Sequence, residues 1–139
     1  MSLRTWLAER FRAKPLGLRG EDAAARFLRR KGYRILARHL DLPLGELDII
    51  AVDGRTIVFV EVKTRTSTDA GLPAEAIDAR KERRMTHAAL AYLKAQGLLN
   101  YAARFDVVAI TWPTDVRQPT QVEHFENAFA PSGFGQFYS

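Results

Sequence analysis

The chain has 139 residues, 47% of them hydrophobic, and no cysteine. That fits one domain with a real core and excludes disulfide staples, thiolate metal sites and cysteine nucleophiles. A net charge of +5 suits a polyanion partner, but equally a mildly basic protein with none, and no apolar run approaches the ~18 residues of a membrane span.

Residues 1–19 read as a basic arm. Leu3, Trp6, Leu7 and Phe11 lie on one side of a short amphipathic helix over 3–12, and Pro15 and Gly17 break it. Arg4, Glu9, Arg10 and Arg12 interrupt its apolar residues, so it lacks the h-region of a signal peptide, and a cytoplasmic protein with no membrane contact is expected. Residues 20–31 form the first helix, with Ala23, Ala24, Phe27 and Leu28 as its apolar stripe and Gly32 as its stop. Residues 33–40 form a first strand or extended edge, and Pro43 and Gly45 mark a loop. Residues 46–52 and 55–65, rich in Ile and Val, flank Asp53-Gly54, a strong hairpin signal. A loop over 66–74 leads to a long helix over 75–95 that ends at Gly97. Residues 104–112 give another strand, and 121–126 a short last one. Residues 130–139 form a Gly- and Ser-rich tail. This order predicts an α/β fold, a mixed sheet with a helix on each side, within a domain over 20–129.

The chemistry concentrates in the hairpin. With Asp53-Gly54 as the turn, Asp48 faces Phe59 and Glu46 faces Glu61. Side chains alternate faces along a strand, so Glu46, Asp48, Glu61 and Lys63 share one face. A three-residue loop would break this by shifting the register by one. Like charges directly opposite in a sheet are destabilising. Lys63 offsets one charge, and a divalent cation would offset two more. The plain alternative for Glu61-Val62-Lys63 is a solvated Glu–Lys pair, the usual meaning of such spacing. Against it, Ile57, Val58, Phe59, Val60 and Val62 make the strand apolar on both faces, which is costly for charges without a purpose.

Two further charges fall on apolar stripes. Glu21 opens the first helix, either as an acid favoured by the helix dipole or as a site member. Lys81 lies four residues from both Ile77 and Met85, where a snorkelling lysine is the simplest reading. His39, His87 and His124 show no metal-ligand spacing and receive no role. Glycine-rich phosphate loops are absent.

The stretches GEDAAARFLRRKGYRIL, GELDIIAVDG, VFVEVKTR, GLPAEAIDARKERRMTHAALAYL, RFDVVAI and ENAF, in this order and spacing, resemble the YraN family of small bacterial endonuclease-like proteins over roughly residues 20–129. The resemblance implies the restriction-endonuclease-like fold shared with Holliday junction resolvases. It maps the acid, gap, acid-x-Lys signature onto Asp48 and Glu61-Val62-Lys63, and a helix-borne acid onto Glu21. Glu46 and Lys81 also fall on family-typical positions. The segment HLDLPL departs from the family's pattern, with Arg38 expected to stand in for its basic residue.

The resulting expectation is a nuclease-type domain that hydrolyses phosphodiester bonds in nucleic acid, DNA first of all, at branched or repair structures. Asp48 and Glu61 would hold Mg²⁺ or Mn²⁺ with the Val62 carbonyl, Glu21 would act through water or a second metal, and Lys63 would position or deprotonate the attacking water. Glu46 would support them. Arg38, Arg65, Lys81 and Arg84 would contact the nucleic-acid backbone. A homodimer is expected by analogy. The alternatives are a nucleic-acid-binding module of the same fold that does not cut, and a protein-interaction domain that uses the N-terminal arm.

Overall fold

A computed structural model describes residues 16–67 and 78–131. The amphipathic arm over 3–12, the loop over 68–74, positions 75–77 of the long helix and most of the tail lie outside the described residues. Helix α1 spans Leu16–Arg30, strand β1 Arg34–Leu42, β2 Gly45–Asp53 and β3 Thr56–Arg65. Helix α2 spans Ala79–Ala95, β4 Ala103–Thr111 and β5 Gln121–Phe129.

The strands form one sheet in the order β1-β2-β3-β4-β5. Only β3 and β4 run parallel; the other neighbours are antiparallel. A parallel pair needs a crossover connection, and α2 lies within it. On one face α1 packs Ala23, Ala24, Ala25 and Leu28 against Ile49, Ala51, Val58, Val60, Val108 and Ile110. On the other α2 packs Met85, Ala88, Ala89 and Leu93 against Ile50, Ile57, Phe59 and Phe105. Covered on both faces, β3 and β4 carry near-continuous apolar runs. This is the restriction-endonuclease-like α/β arrangement that the sequence predicts: a mixed sheet with a helix on either side.

The differences from expectation are local. Helix α1 begins at Leu16 rather than at Gly20, because Leu16 packs on the core and Gly17 does not act as a breaker. The first four of its residues therefore belong to the helix and not to the arm. Gly20 lets the helix press onto the sheet: a Cβ there would meet the Thr64 Oγ1 at 1.8 Å. Helix α2 begins at Ala79, where the Asp78 carboxylate accepts from the Lys81 amide at 2.8 Å and closes the N-terminus. Strand β5 runs on to Phe129, whose ring stacks on Phe105 with centroids 4.6 Å apart.

The hairpin turn also moves. Asp53 pairs with Thr56 and Val52 with Ile57, so the turn residues are Gly54 and Arg55. Asp53 stays in the strand, where its Oδ2 accepts from Arg104 Nη2 at 3.2 Å. The displacement is by two in register and keeps the parity, so each side chain keeps its expected face.

Candidate functional site

The β2–β3 ladder ends at the pair Ile49–Val60. One step further, Asp48 stands opposite Glu61 instead of Phe59, the expected partner. Here the two strands part. Val62 would lose its cross-strand acceptor, and the Asp48 carboxylate replaces it, with Oδ2 accepting from the Val62 amide at 2.9 Å. Strand β3 continues beside β4 alone and carries Glu61, Lys63 and Arg65 beyond the fork. The sequence thus builds a cleft by ending one ladder while prolonging another.

Glu61 is 4% exposed. Its Oε1 accepts from Lys81 Nζ, across from α2, and lies 3.5 Å from Lys63 Nζ. The cleft of about 200 Å³ is lined by Glu46, Asp48, Glu61, Lys81, Arg84 and Met85, with Gly45 at its rim. Such a volume takes an ion with its waters or one phosphate group and is small for a drug-sized ligand. Burial first, and then repulsion from Glu61, push the Asp48 carboxyl up to about 7. The Val62 amide and Lys81 pull in the opposite direction without restoring it. Burial, together with the charge of Lys81, lowers the Lys63 ammonium below the ordinary lysine range. Burial acts most strongly to lower Lys81, but its bond and attraction to Glu61, with the contact to Lys63 and the charge of Asp48, together outweigh this and raise it. One acid and one lysine of the group are thereby moved toward neutrality.

The other expected members sit across Asp48. Glu21, on α1, lines a second pocket with His39, Glu46, Asp48 and Val62. Arg38 holds Glu21 Oε1 at 3.3 Å and also binds Asp22. His39 Nδ1 lies 3.5 Å from both Glu21 Oε2 and Glu46 Oε1. Glu46, with its side chain 52% exposed, contacts His39 while also lining the cleft of Asp48 and Glu61. The structure therefore groups Asp48, Glu61, Lys63 and Lys81, and joins Glu21 to Glu46 through a histidine. Among the described residues no group of three or more His, Asp or Glu is arranged to hold a metal ion. Asp48 and Glu61 offer two carboxylates, hard oxygen donors that could hold an ion of the kind of Mg²⁺ or Mn²⁺. The unbalanced charge that raises Asp48 is of the sign that a cation relieves.

Of the expected backbone-contacting cations, Lys81 is engaged with Glu61, and Arg38 with Glu21 and Asp22. Arg84 is exposed at the cleft mouth, and Arg65 ends β3 half-buried. His39 was given no role by spacing. Its backbone φ of 50° is unusual for a non-glycine residue, and nothing in the primary pattern signals it.

The uncharacterised protein family UPF0102 matches residues 20–110, a span that holds Glu21, Asp48, Glu61, Lys63 and Lys81. A UPF0102 protein of Rhodopirellula baltica is 51% identical over 125 residues, covering 88% of this chain and 75% of the relative. One from Geobacter sulfurreducens is 48% identical over 118 residues, covering 84% and 89%. One from Pelotomaculum thermopropionicum is 47% identical over 116 residues, covering 84% and 96%. The motif resemblance and these matches agree, and the chain belongs to the YraN/UPF0102 family.

Proposed function

We propose that this protein is a metal-dependent endonuclease that hydrolyses phosphodiester bonds in nucleic acid, DNA first of all, at branched or repair structures. The observation that carries the reading is the pair of half-buried Asp48 and buried Glu61 at the fork of β2 and β3, with Lys63 3.5 Å from Glu61. Asp48, Glu61 and the Val62 carbonyl would hold Mg²⁺ or Mn²⁺. Such an ion, when bound, polarises a phosphoryl oxygen and lowers the pKa of water.

The chain's own groups supply the rest. Lys63, lowered by burial and by Lys81, releases and takes up a proton more readily than a surface lysine. It orients the attacking water and accepts its proton as the new P–O bond forms and the bond to the leaving oxygen breaks. Lys81 reaches the same carboxylate and offsets charge that develops on the phosphoryl oxygens. Exposed Arg80, Arg83 and Arg84 on α2, with Arg26, Arg29 and Arg30 on α1 and Lys31 just beyond it, hold phosphates without reading bases. No helix among the described residues is long and apolar enough to cross a membrane, and the cytoplasm is the location this reading assigns. A homodimer would let two such sites address two strands.

The test is cleavage of flapped, branched, single-stranded and continuous DNA with Mg²⁺ or Mn²⁺. Glu61→Ala and Lys63→Ala are expected to abolish cutting, and activity that survives both changes overturns the assignment. A second reading has one observation in its favour. The Lys81–Glu61 bond neutralises an acid that a metal would need, as in a nucleic-acid-binding module that does not cut. DNA binding with no calorimetric binding of Mn²⁺ and no cleavage selects that reading.

A further inference from the structure

The turn between β1 and β2 consists of Pro43 and Leu44, with Leu42 paired to Gly45. Pro43 fixes its own φ. Gly45 lies hard against α2, where a Cβ would stand 3.1 Å from the Arg84 carbonyl oxygen. The hairpin tip is therefore seated on the helix. Leu44 is 54% exposed and shares a surface pocket with Arg80, Arg83, Arg84 and His87. Arg84 lines both this pocket and the cleft that holds Asp48 and Glu61. A single exposed leucine is ordinary on a protein surface. A leucine at a turn seated on α2, bordered by arginines and continuous with a carboxylate cleft, asks for a partner both apolar and anionic.

We propose that Leu44 is a wedge that enters the base stack of DNA at a break in the stack, while Arg80, Arg83 and Arg84 hold the flanking phosphates. This rests on the nucleic-acid reading above and narrows its substrate class to DNA with an interrupted stack, such as a flap or branch. Apolar wedges that enter a duplex must unstack a base step. That cost is smallest where the stack already ends. Arginines alone do not make this distinction, because continuous and flapped duplexes offer the same phosphates. A leucine among arginines also fits an anionic membrane surface. DNA is favoured because Arg84 joins the patch to the Asp48–Glu61 cleft, and a membrane anchor has no use for that link.

The experiment uses the full chain in buffer with Ca²⁺ and without Mg²⁺ or Mn²⁺. Binding is measured to a continuous duplex and to a flapped duplex that carries 2-aminopurine at the branch point. Wild type is expected to prefer the flapped DNA about tenfold and to raise 2-aminopurine fluorescence as the base unstacks. Leu44→Ala keeps its affinity for continuous duplex but loses the preference and the fluorescence rise. Leu99→Ala, an equally exposed leucine beyond the far end of α2, behaves as wild type, and Arg83→Ala weakens both DNAs alike. If Leu44→Ala and wild type bind both DNAs identically, the wedge is overturned and the nucleic-acid reading stands. If neither DNA binds at all, both fall. Leu44-dependent flotation with phosphatidylserine vesicles, with no preference between the DNAs, overturns the wedge in favour of a membrane.

Discussion

Lys81 on α2 donates to Glu61 on β3 and thereby ties the helix to the strand that carries the candidate site. The ammonium occupies Oε1, the same oxygen that faces Lys63. A divalent cation held by Asp48 and Glu61 must compete with it. Lys81→Met removes the competitor and is expected to tighten Mn²⁺ binding severalfold in calorimetry without nucleic acid, while it slows cleavage. Weaker Mn²⁺ binding in Lys81→Met would mean that the lysine supports the ion site and does not compete for it.

Asp48 gives a pH-dependent trade between stability and function. Its folded carboxyl titrates near 7, above the ordinary carboxylate value of ~3.9. Between these values the folded state holds a proton that the unfolded chain has released. Stability therefore falls as pH rises from about 4 to about 7, and the full cost applies above that. Asp48→Asn keeps an oxygen for the Val62 amide and removes the charge. After discounting for partial solvent screening, it is expected to stabilise the metal-free protein by roughly 2 kcal/mol at pH 8. The gain should vanish near pH 4, and cleavage should be lost. Thermal melts of both proteins in chelator across this range check the sign. A gain that does not change with pH would remove repulsion from Glu61 and burial as its cause.

The hairpin shows how far the sequence was legible. Alternation placed Asp48, Glu61 and Lys63 on one face, and this survives because the turn moved by an even step in register. Which residues make the turn was not legible, since Asp53 is kept in the strand by Arg104 from β4, far along the chain. The same limit explains Glu46. Its face was predictable, but not the parting of β2 from β3 at Ile49–Val60, after which it turns to His39. Lys81 on an apolar stripe was visible as an oddity, and the resemblance made it a site candidate. Its bond to Glu61 depends on how α2 docks, which no local pattern states. Both helix stops, Gly32 and Gly97, were readable because they are local.

Gly20 fixes the distance between α1 and the site. Gly20→Ala would press a Cβ into Thr64, with Oγ1 at 1.8 Å and Cβ at 2.9 Å. The helix must shift, at a cost of about 1–3 kcal/mol, and Glu21 moves with it away from the pocket it shares with Asp48. Thr64→Ala removes the nearest atom, so the double variant should recover part of the loss. A double-mutant cycle by urea denaturation measures this coupling, and simple additivity would deny the contact.

Asp106 pairs with Val60 across β3 and β4 and is fully buried. Its oxygens accept from Arg104 Nε at 3.0 Å, His124 Nε2 at 2.8 Å and the Asn127 amide at 3.0 Å. Lys31 Nζ stands 2.8 Å from His124 Nδ1. A lysine donating there assigns the ring proton to Nε2, facing Asp106. Burial alone would raise the Asp106 carboxyl, but these donors outweigh it and hold it below the ordinary range. The stabilisation is therefore complete above the unfolded value near ~3.9 and is lost as pH falls through the lower folded value. Asp106→Asn keeps the shape, removes the charge and leaves a buried part of Arg104 without its main counterion. It is expected to cost about 3 kcal/mol at pH 7. The gap to wild type should narrow as pH falls through the lowered folded value, where the native carboxyl itself takes up a proton. Urea melts from pH 7 down into the acid range test this, and a loss that stays the same throughout would show that shape, and not charge, is what Asp106 contributes.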